Sequence, residues 1–420
     1  MTIIKELHNS SSKYMSSSTS LENVLILQGG GSLGAFGCGV FKALANNNVK
    51  LDIIAGTSMG GVNAAIIAGS KDDKYPEKVL EQFWLELAEG SKALDSFSPS
   101  SFYPIYSPSF IQWLATADKT SFFASQSNSK VQSDQNLSIK SMLSAYGSAV
   151  YGNDKFFKPR WKPEYILADP KYSIPAEWTY LYDHSPLVKT LEKYIDYTKL
   201  KPTGGHSNTR LIMTAVNVLT AQPLTFDSYK QQITPKHILA TSGYPLYAFP
   251  WIEVESGVYA WDGGLLSNTP LREVIDASPV NDKQVFLVEN YPKNIVKLPK
   301  NLPEVYHRSR DIMFSDKTEL NITMSKVISM YLRYIDEMYQ VIEEFVDMNK
   351  ADKKRIEKIR LKYKKYKKER GAEIKKIWHI TRDEPFPFIY ENADFSLDAI
   401  KNSIADGELK TNQILEKQSG

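Results

Sequence analysis

Ser58 stands in Gly56-Thr57-Ser58-Met59-Gly60. A Gly-x-Ser-x-Gly run between a buried strand and a helix has the form of a nucleophile elbow. Its flanking glycines relieve crowding at a sharp turn, and the turn lifts the hydroxyl clear of the sheet. The residues before it, Asp52-Ile53-Ile54-Ala55, read as such a strand, and those from Met59 to about 69 read as an apolar helix. The plainer alternative is a helix start capped by Thr57 or Ser58.

A second glycine turn lies upstream. Gly29-x-Gly31-x-x-Gly34 follows the apolar run Val24-Leu25-Ile26-Leu27 and opens a helix that extends to about Asn46. Taken alone, it could cradle a dinucleotide phosphate, hold an oxyanion or simply turn the chain. The dinucleotide reading fails on placement. Its ribose-binding acid belongs at the C-terminal end of the second strand, whereas Asp52 begins that strand and the serine motif ends it. Bare amides at a helix N-terminus lie in a partly positive field. They can hold the oxyanion of a tetrahedral acyl intermediate, at about 3–4 kcal/mol per donor. Gly29, Gly30, Gly31, Ser32 and Gly34 form this candidate oxyanion hole, with amides around Gly30, Gly31 and Ser32 as donors. If both strands lie in one sheet, the two helix N-termini converge on one spot.

A serine needs a base to take its proton. The six histidines are His8, His184, His206, His237, His307 and His379. In a Ser–acid–His chain order only His307 and His379 could follow Asp262, and neither ends an evident strand in a glycine-rich loop. Asp262-Gly263-Gly264 follows the apolar Val258-Tyr259-Ala260-Trp261 and precedes the polar turn Ser267-Asn268. On its own it reads equally well as a plain Asp-Gly turn.

Taken together, Gly29-Gly30-Gly31-Ser32-Leu33-Gly34, Gly56-Thr57-Ser58-Met59-Gly60 and Asp262-Gly263-Gly264 resemble the three ordered signatures of patatin-like phospholipases. The resemblance runs from about 23 to 290. Connecting segments at Tyr182-Asp183-His184-Ser185-Pro186-Leu187 and Thr214-Ala215-Val216-Asn217-Val218 also match bacterial members. Phe156-Phe157-Lys158-Pro159-Arg160 and Ala393-Asp394-Phe395-Ser396 resemble a subgroup with a C-terminal extension of unassigned function. Many members carry Arg or Lys where this chain has Leu33, which alters the electrostatics of the loop. The resemblance implies a Ser58–Asp262 dyad with no catalytic histidine, a lipid ester substrate, an acyl-serine intermediate, and neither metal nor cofactor. Transfer of the acyl group to a lipid alcohol, or lipid binding without catalysis, are the alternatives. Because an ordinary Asp has a pKa of about 3.9, burial beside Trp261 is expected to make Asp262 a better base.

These motifs need a scaffold. Strand, glycine turn and helix occur twice in succession, the sign of a parallel sheet covered by helices. An amphipathic helix at 76–89, strands at 210–216 and 224–226, and a helix at 235–241 follow. Next come a hairpin through Glu255-Ser256-Gly257, a helix at 268–276, a strand at 284–288 and a late strand at 377–380. Ser396 should cap a last helix ending at Gly407. The expected fold is α/β: a three-layer patatin-like domain at 21–292 with a mainly parallel central sheet, preceded by a disordered Ser-rich tail at 1–20. An aromatic insert occupies 91–180 and a mainly helical extension 293–420. Sixteen of residues 101–180 are aromatic, a fifth against 12% for the chain, which suits either a lid or acyl groove or the core of a loop-rich subdomain.

The overall charge of +3 gives no nucleic-acid signature. It hides a basic segment: residues 350–376 hold fourteen Lys or Arg against four Asp or Glu. Ile356, Ile359, Tyr363 and Tyr366 form a narrow apolar stripe along it, so this helix could lie on an anionic membrane, bind an acidic partner or be merely solvated. No run is long enough to span a bilayer and no secretory signal is visible, so a cytoplasmic protein, in peripheral contact with membrane at most, is expected. Cys38, the single cysteine, excludes an intramolecular disulfide and reads as a small core residue.

Overall fold

The computed structural model describes residues 20–91, 141, 144–170, 172–202, 209–345, 352–384 and 390–417. All of the predicted tail but Ser20, and most of the aromatic insert, lie outside the described residues. Eight strands form the main sheet: β1 (Leu21–Leu27), β2 (Ile53–Thr57), β3 (Arg210–Asn217), β4 (Pro223–Asp227), β5 (Ile252–Glu255), β6 (Val258–Asp262), β7 (Asp282–Glu289) and β8 (Ile374–Thr381). Their order is β8-β7-β1-β2-β3-β6-β5, with β4 paired to β3. From β8 to β3 every pairing is parallel, and the pairings beyond β3 are antiparallel.

The parallel strands are central because both of their faces are apolar. Leu25, Leu27 and Ile54 face one core, and Val24, Ile26, Ile53 and Ala55 face another. Helices α1 (Ala35–Asn46), α2 (Met59–Ala68) and α3 (Pro76–Glu89) cover the first face. Phe36, Phe83 and Trp84 are wholly buried there, each contributing roughly 1.5–3 kcal/mol through removal from water. A further helix, α4 (Pro235–Ser242), packs against α2, β5 and β6. The opposite face is covered by α5 (Leu271–Ala277) and by Ile322 of the long helix α6 (Leu302–Phe345). The result is the expected mixed α/β arrangement of helices around a mostly parallel sheet.

Sequence after residue 293 enters this core. β8 extends the sheet beyond β7, and the Trp378 ring stacks on Phe286 at 4.4 Å. Between α6 and β8 runs α7 (Lys353–Arg370). The last helix, α8 (Leu397–Glu416), starts where predicted, with the Ser396 hydroxyl accepting from the Ala399 amide, but it does not stop at Gly407. Gly407 is a contact residue instead. A Cβ there would collide with the Phe36 carbonyl, and one on Gly39 would collide with that of Ile404, so α1 and α8 cross nearly backbone to backbone.

Candidate active site

Both glycine turns leave neighbouring strands at the same sheet edge, β1 into a short 3-10 turn at Gly31–Gly34 and β2 directly into α2. Ser58 lies at the second junction with φ 56° and ψ −132°, a left-handed conformation that a non-glycine residue adopts only under constraint. The constraint comes from close backbone approach. A Cβ on Gly56 would strike the Gly60 carbonyl, and one on Gly60 would strike that of Leu27. The Ser58 amide donates to Thr241 Oγ1 at 3.3 Å, and Thr241 Oγ1 donates to the Thr214 carbonyl at 2.6 Å. Thr57 and Thr214 exchange a hydroxyl hydrogen bond at 2.7 Å. Thus α4 and β3 brace the elbow.

Asp262 ends β6, wholly buried. Its Oδ1 accepts from the Gly264 amide at 2.8 Å, while Oδ2 is buried without a hydrogen bond of full geometry. Burial pushes the carboxyl up to about 7, against the nearby Ser58 hydroxyl and the Gly264 amide, which both favour its charged form. Ser58 is therefore close enough to Asp262 to act on its charge, short of a strict hydrogen bond. Gly263 is required where it stands, because a Cβ would press on Thr214 at 2.5 Å.

The glycine loop is clamped by side chains that sequence reading did not single out. Asn268 Oδ1 accepts from the Gly29 amide at 3.0 Å, and its Nδ2 donates to the Gly29 carbonyl at 3.4 Å. Asn290 Nδ2 donates to the same carbonyl at 3.2 Å. The Gly29 amide is thus occupied. Gly30 and Gly31 border the cavity beside Ser58. Ser32 is turned to the other side, its hydroxyl donating to the Glu391 carbonyl at 3.0 Å. The Gly34 carbonyl accepts from Asn63 Nδ2 at 2.8 Å, and its Cα faces the Trp84 ring. Asp52, the acid of the dinucleotide reading, accepts from the Asn23 amide at the opposite end of the strands.

Ser58, Asp262, Gly29, Gly30, Gly31 and Gly264 share a cavity of about 330 Å³. Aromatic rings dominate the rest of its wall. Phe157 packs edge to face on Phe156, Tyr182 and Phe249, Phe156 stacks on Phe249, and Tyr291 stacks on Phe314 at 4.9 Å. Phe156 and Phe157 come from the predicted insert. Tyr390, Asn392 and Phe395 reach the wall from beyond β8.

Among the described residues, no histidine hydrogen-bonds Ser58 or Asp262. His184 is buried against the Leu239 carbonyl at 2.9 Å, and His237 closes a capping box with Thr234. His379 pairs with Glu289 at 3.0 Å. His307 Nε2 lies 3.0 Å from Glu384 and 3.1 Å from Glu391, with Arg310 2.9 Å away. Burial and that guanidinium oppose a charge on His307, but Glu384 and Glu391 outweigh them and raise its pKa to about 9. Arg382 completes the cluster at 2.5 Å from Glu391.

The patatin-like phospholipase model matches residues 25–275, more than half of the chain, and spans all three motifs. The chain belongs to the patatin-like phospholipase family. Over 70 residues it is 41% identical to a patatin-like phospholipase domain-containing protein of Coccidioides immitis (strain RS), a match covering 17% of this chain and 9% of that protein. Among solved structures, VipD from Legionella pneumophila is 14% identical, with 95% of this chain and 67% of that one covered and a TM-score of 0.35. ExoU of the Pseudomonas aeruginosa type III secretion system, solved with SpcU, is 16% identical, with 73% and 52% covered and a TM-score of 0.24. This patatin-like chain spans about half of ExoU and a small part of the fungal protein.

Proposed function

We propose that the protein hydrolyses carboxylic esters of lipids, with Ser58 as nucleophile and Asp262 as base. The observation that carries this reading is the strained Ser58 turn facing a buried carboxyl poised near neutrality, both on the wall of an aromatic cavity. Asp262 Oδ2 accepts the Ser58 proton as Oγ bonds to the ester carbonyl carbon. Amides of Gly30 and Gly31 hold the oxyanion, aided by the helix N-termini. The C–O bond to the alcohol breaks, and Asp262 returns the proton to the departing oxygen. Water then gives a proton to Asp262 and its hydroxide attacks the acyl-serine. Collapse frees the fatty acid, and the proton goes back to Ser58 Oγ. The aromatic wall suits an acyl chain.

Ser58→Ala should abolish turnover of a chromogenic acyl ester while the melting temperature stays close to wild type. A fluorophosphonate probe should label the wild type at Ser58 alone. Labelling elsewhere, or turnover surviving in the variant, sinks the assignment.

The same reading includes peripheral contact with anionic membrane through α7. Lys362, Lys364, Lys365 and Lys368 are exposed on it, whereas Lys367 pairs with Asp336. Exposed charges are screened beyond about 8 Å at physiological ionic strength. Neutralising these five lysines should therefore weaken salt-sensitive sedimentation with anionic vesicles and spare activity on a soluble ester. Unchanged sedimentation would leave α7 as a solvated helix.

A further inference from the structure

Helix α6 carries two opposed faces. One, through Ile322, Leu332, Asp336 and Tyr339, turns to the body and to α7, where Tyr339 stacks on Tyr363 at 3.8 Å and Arg360 pairs with Glu343. The other bears Leu320, Met324, Val327, Tyr331, Tyr334 and Met338, and closes on Val341 and Phe345. The spacing alternates four and three residues throughout. Every one of the eight is exposed, from 37% at Val327 to 73% at Phe345. Over about 39 Å of helix, the apolar side faces solvent while the side bearing Ile322, Leu332 and Asp336 turns inward.

We infer that this seam pairs with the α6 seam of a second copy of the chain, antiparallel and centred between Tyr331 and Tyr334. A lipid surface accepts any apolar stripe. A strict 3.5-residue period, sustained over three heptads, is what a facing helix requires so that side chains stay in register. Charge chooses the direction. Lys326, Glu337 and Glu344 flank the seam on one edge, exposed and without an ion pair among the described residues. Antiparallel pairing sets Lys326 between Glu337 and Glu344 of the second copy, on both sides of the dyad. Parallel pairing would lay those glutamates against isoleucines. On the other edge Ile328 and Ile335, 41% and 38% exposed, meet each other in the antiparallel arrangement. Opposed helix dipoles favour the same direction.

Light scattering of the full chain at micromolar concentration should give twice the chain mass. Tyr331→Glu combined with Tyr334→Glu should halve it, with circular dichroism and melting showing the body still folded. Lys326→Glu should weaken the dimer, and adding Glu337→Lys and Glu344→Lys should restore it, a rescue that misfolding cannot imitate. Met324→Cys together with Val341→Cys should form disulfide-linked dimers on oxidation, the native Cys38 being buried, whereas either substitution alone should not. A monomeric wild type overturns the inference. So does efficient cross-linking through Met324→Cys alone, which requires a parallel pair. Vesicle binding by a monomer that Tyr331→Glu abolishes would assign the seam to lipid instead.

Discussion

Asp262 and Glu391 are both buried carboxylates, set on either side of the glycine loop, and their surroundings hold them in opposite states. Burial acts on both in the same direction. Asp262 meets only the Gly264 amide and the Ser58 hydroxyl, so burial wins and the carboxyl rises to about 7. At Glu391, Arg382, His307 and Arg310 overcome burial and pull the carboxyl well below the usual range, while the neighbouring Glu384 is pushed up. The difference separates a group that can exchange a proton from one that is locked. A carboxyl held up to about 7 suits the general-base role proposed for Asp262. The Glu391 cluster has the environment of a structural tie, and it fixes the turn from which Tyr390 and Asn392 reach the cavity.

The largest expected effect comes from disabling the exchanging carboxyl. Asp262→Asn keeps the shape but cannot accept a proton, so turnover should fall by orders of magnitude, close to Ser58→Ala. Wild-type activity should rise with pH through about 7 and then level off. Stability should move the other way. Between about pH 4 and pH 7 the folded protein retains a proton on Asp262 that the unfolded chain has lost, so stability falls as pH rises through that window. Asp262→Asn removes this penalty. It should unfold like wild type near pH 4 and be more stable at pH 8, by at most about 4 kcal/mol at ~1.4 kcal/mol per pKa unit. A dead variant with unchanged pH dependence of melting would mean that Asp262 is not held up by burial.

Disabling the locked carboxyl should do the reverse, costing fold first and chemistry second. Glu391→Gln takes one carboxylate from the buried Arg310 and Arg382, which keep Asp311 and Glu384, so the cost should stay below the ~3–5 kcal/mol of a buried charge left wholly unpaired. His307→Ala tests the same cluster from the cationic side. The raised pKa means that its stabilisation is complete below the ordinary histidine range and disappears as pH passes about 9. The deficit of His307→Ala should therefore be greatest near pH 6 and fade above 9, with turnover per folded molecule largely retained. If His307→Ala folds normally yet is as inactive as Ser58→Ala, the Ser58–Asp262 dyad is wrong and a histidine is the base.

The same contrast explains what could be read in advance. Backbone demands leave local marks. Ser58 was legible because a sharp turn and close chain approach write glycine at Gly56 and Gly60, and the parallel strands were legible as apolar runs ended by glycine turns. Asn268 and Thr241 were not legible, since their bonds to Gly29 and Ser58 span 239 and 183 residues and the local sequence looks like ordinary polar turn or helix. Gly407 misled for a related reason: glycine marks close approach as readily as a helix end, and here the approach is to Phe36 of α1. The stripe on α7 was visible as a period, but its partner was not. Tyr363 is covered by Tyr339, which no property of residues 350–376 announces.

The smallest expected effect lies on the bond that joins the two centres. Ser32 Oγ donates to the Glu391 carbonyl at 3.0 Å, and that carbonyl also accepts from the Asp394 amide at 3.1 Å. Ser32→Ala therefore removes one of two donors and should cost only about 1 kcal/mol of stability. Its kinetic effect should be larger than this cost suggests if the locked cluster positions the glycine loop. Displacement of the Gly30 and Gly31 amides would weaken contacts made only to the oxyanion, so kcat should fall several-fold while KM stays nearly constant. Joining Ser32→Ala to Glu391→Gln should then add little to the kinetic loss, because both act through the same turn. An unchanged kcat in Ser32→Ala, with the melting temperature slightly lowered, would limit the turn to covering the loop and leave its alignment to Asn268 and Asn290.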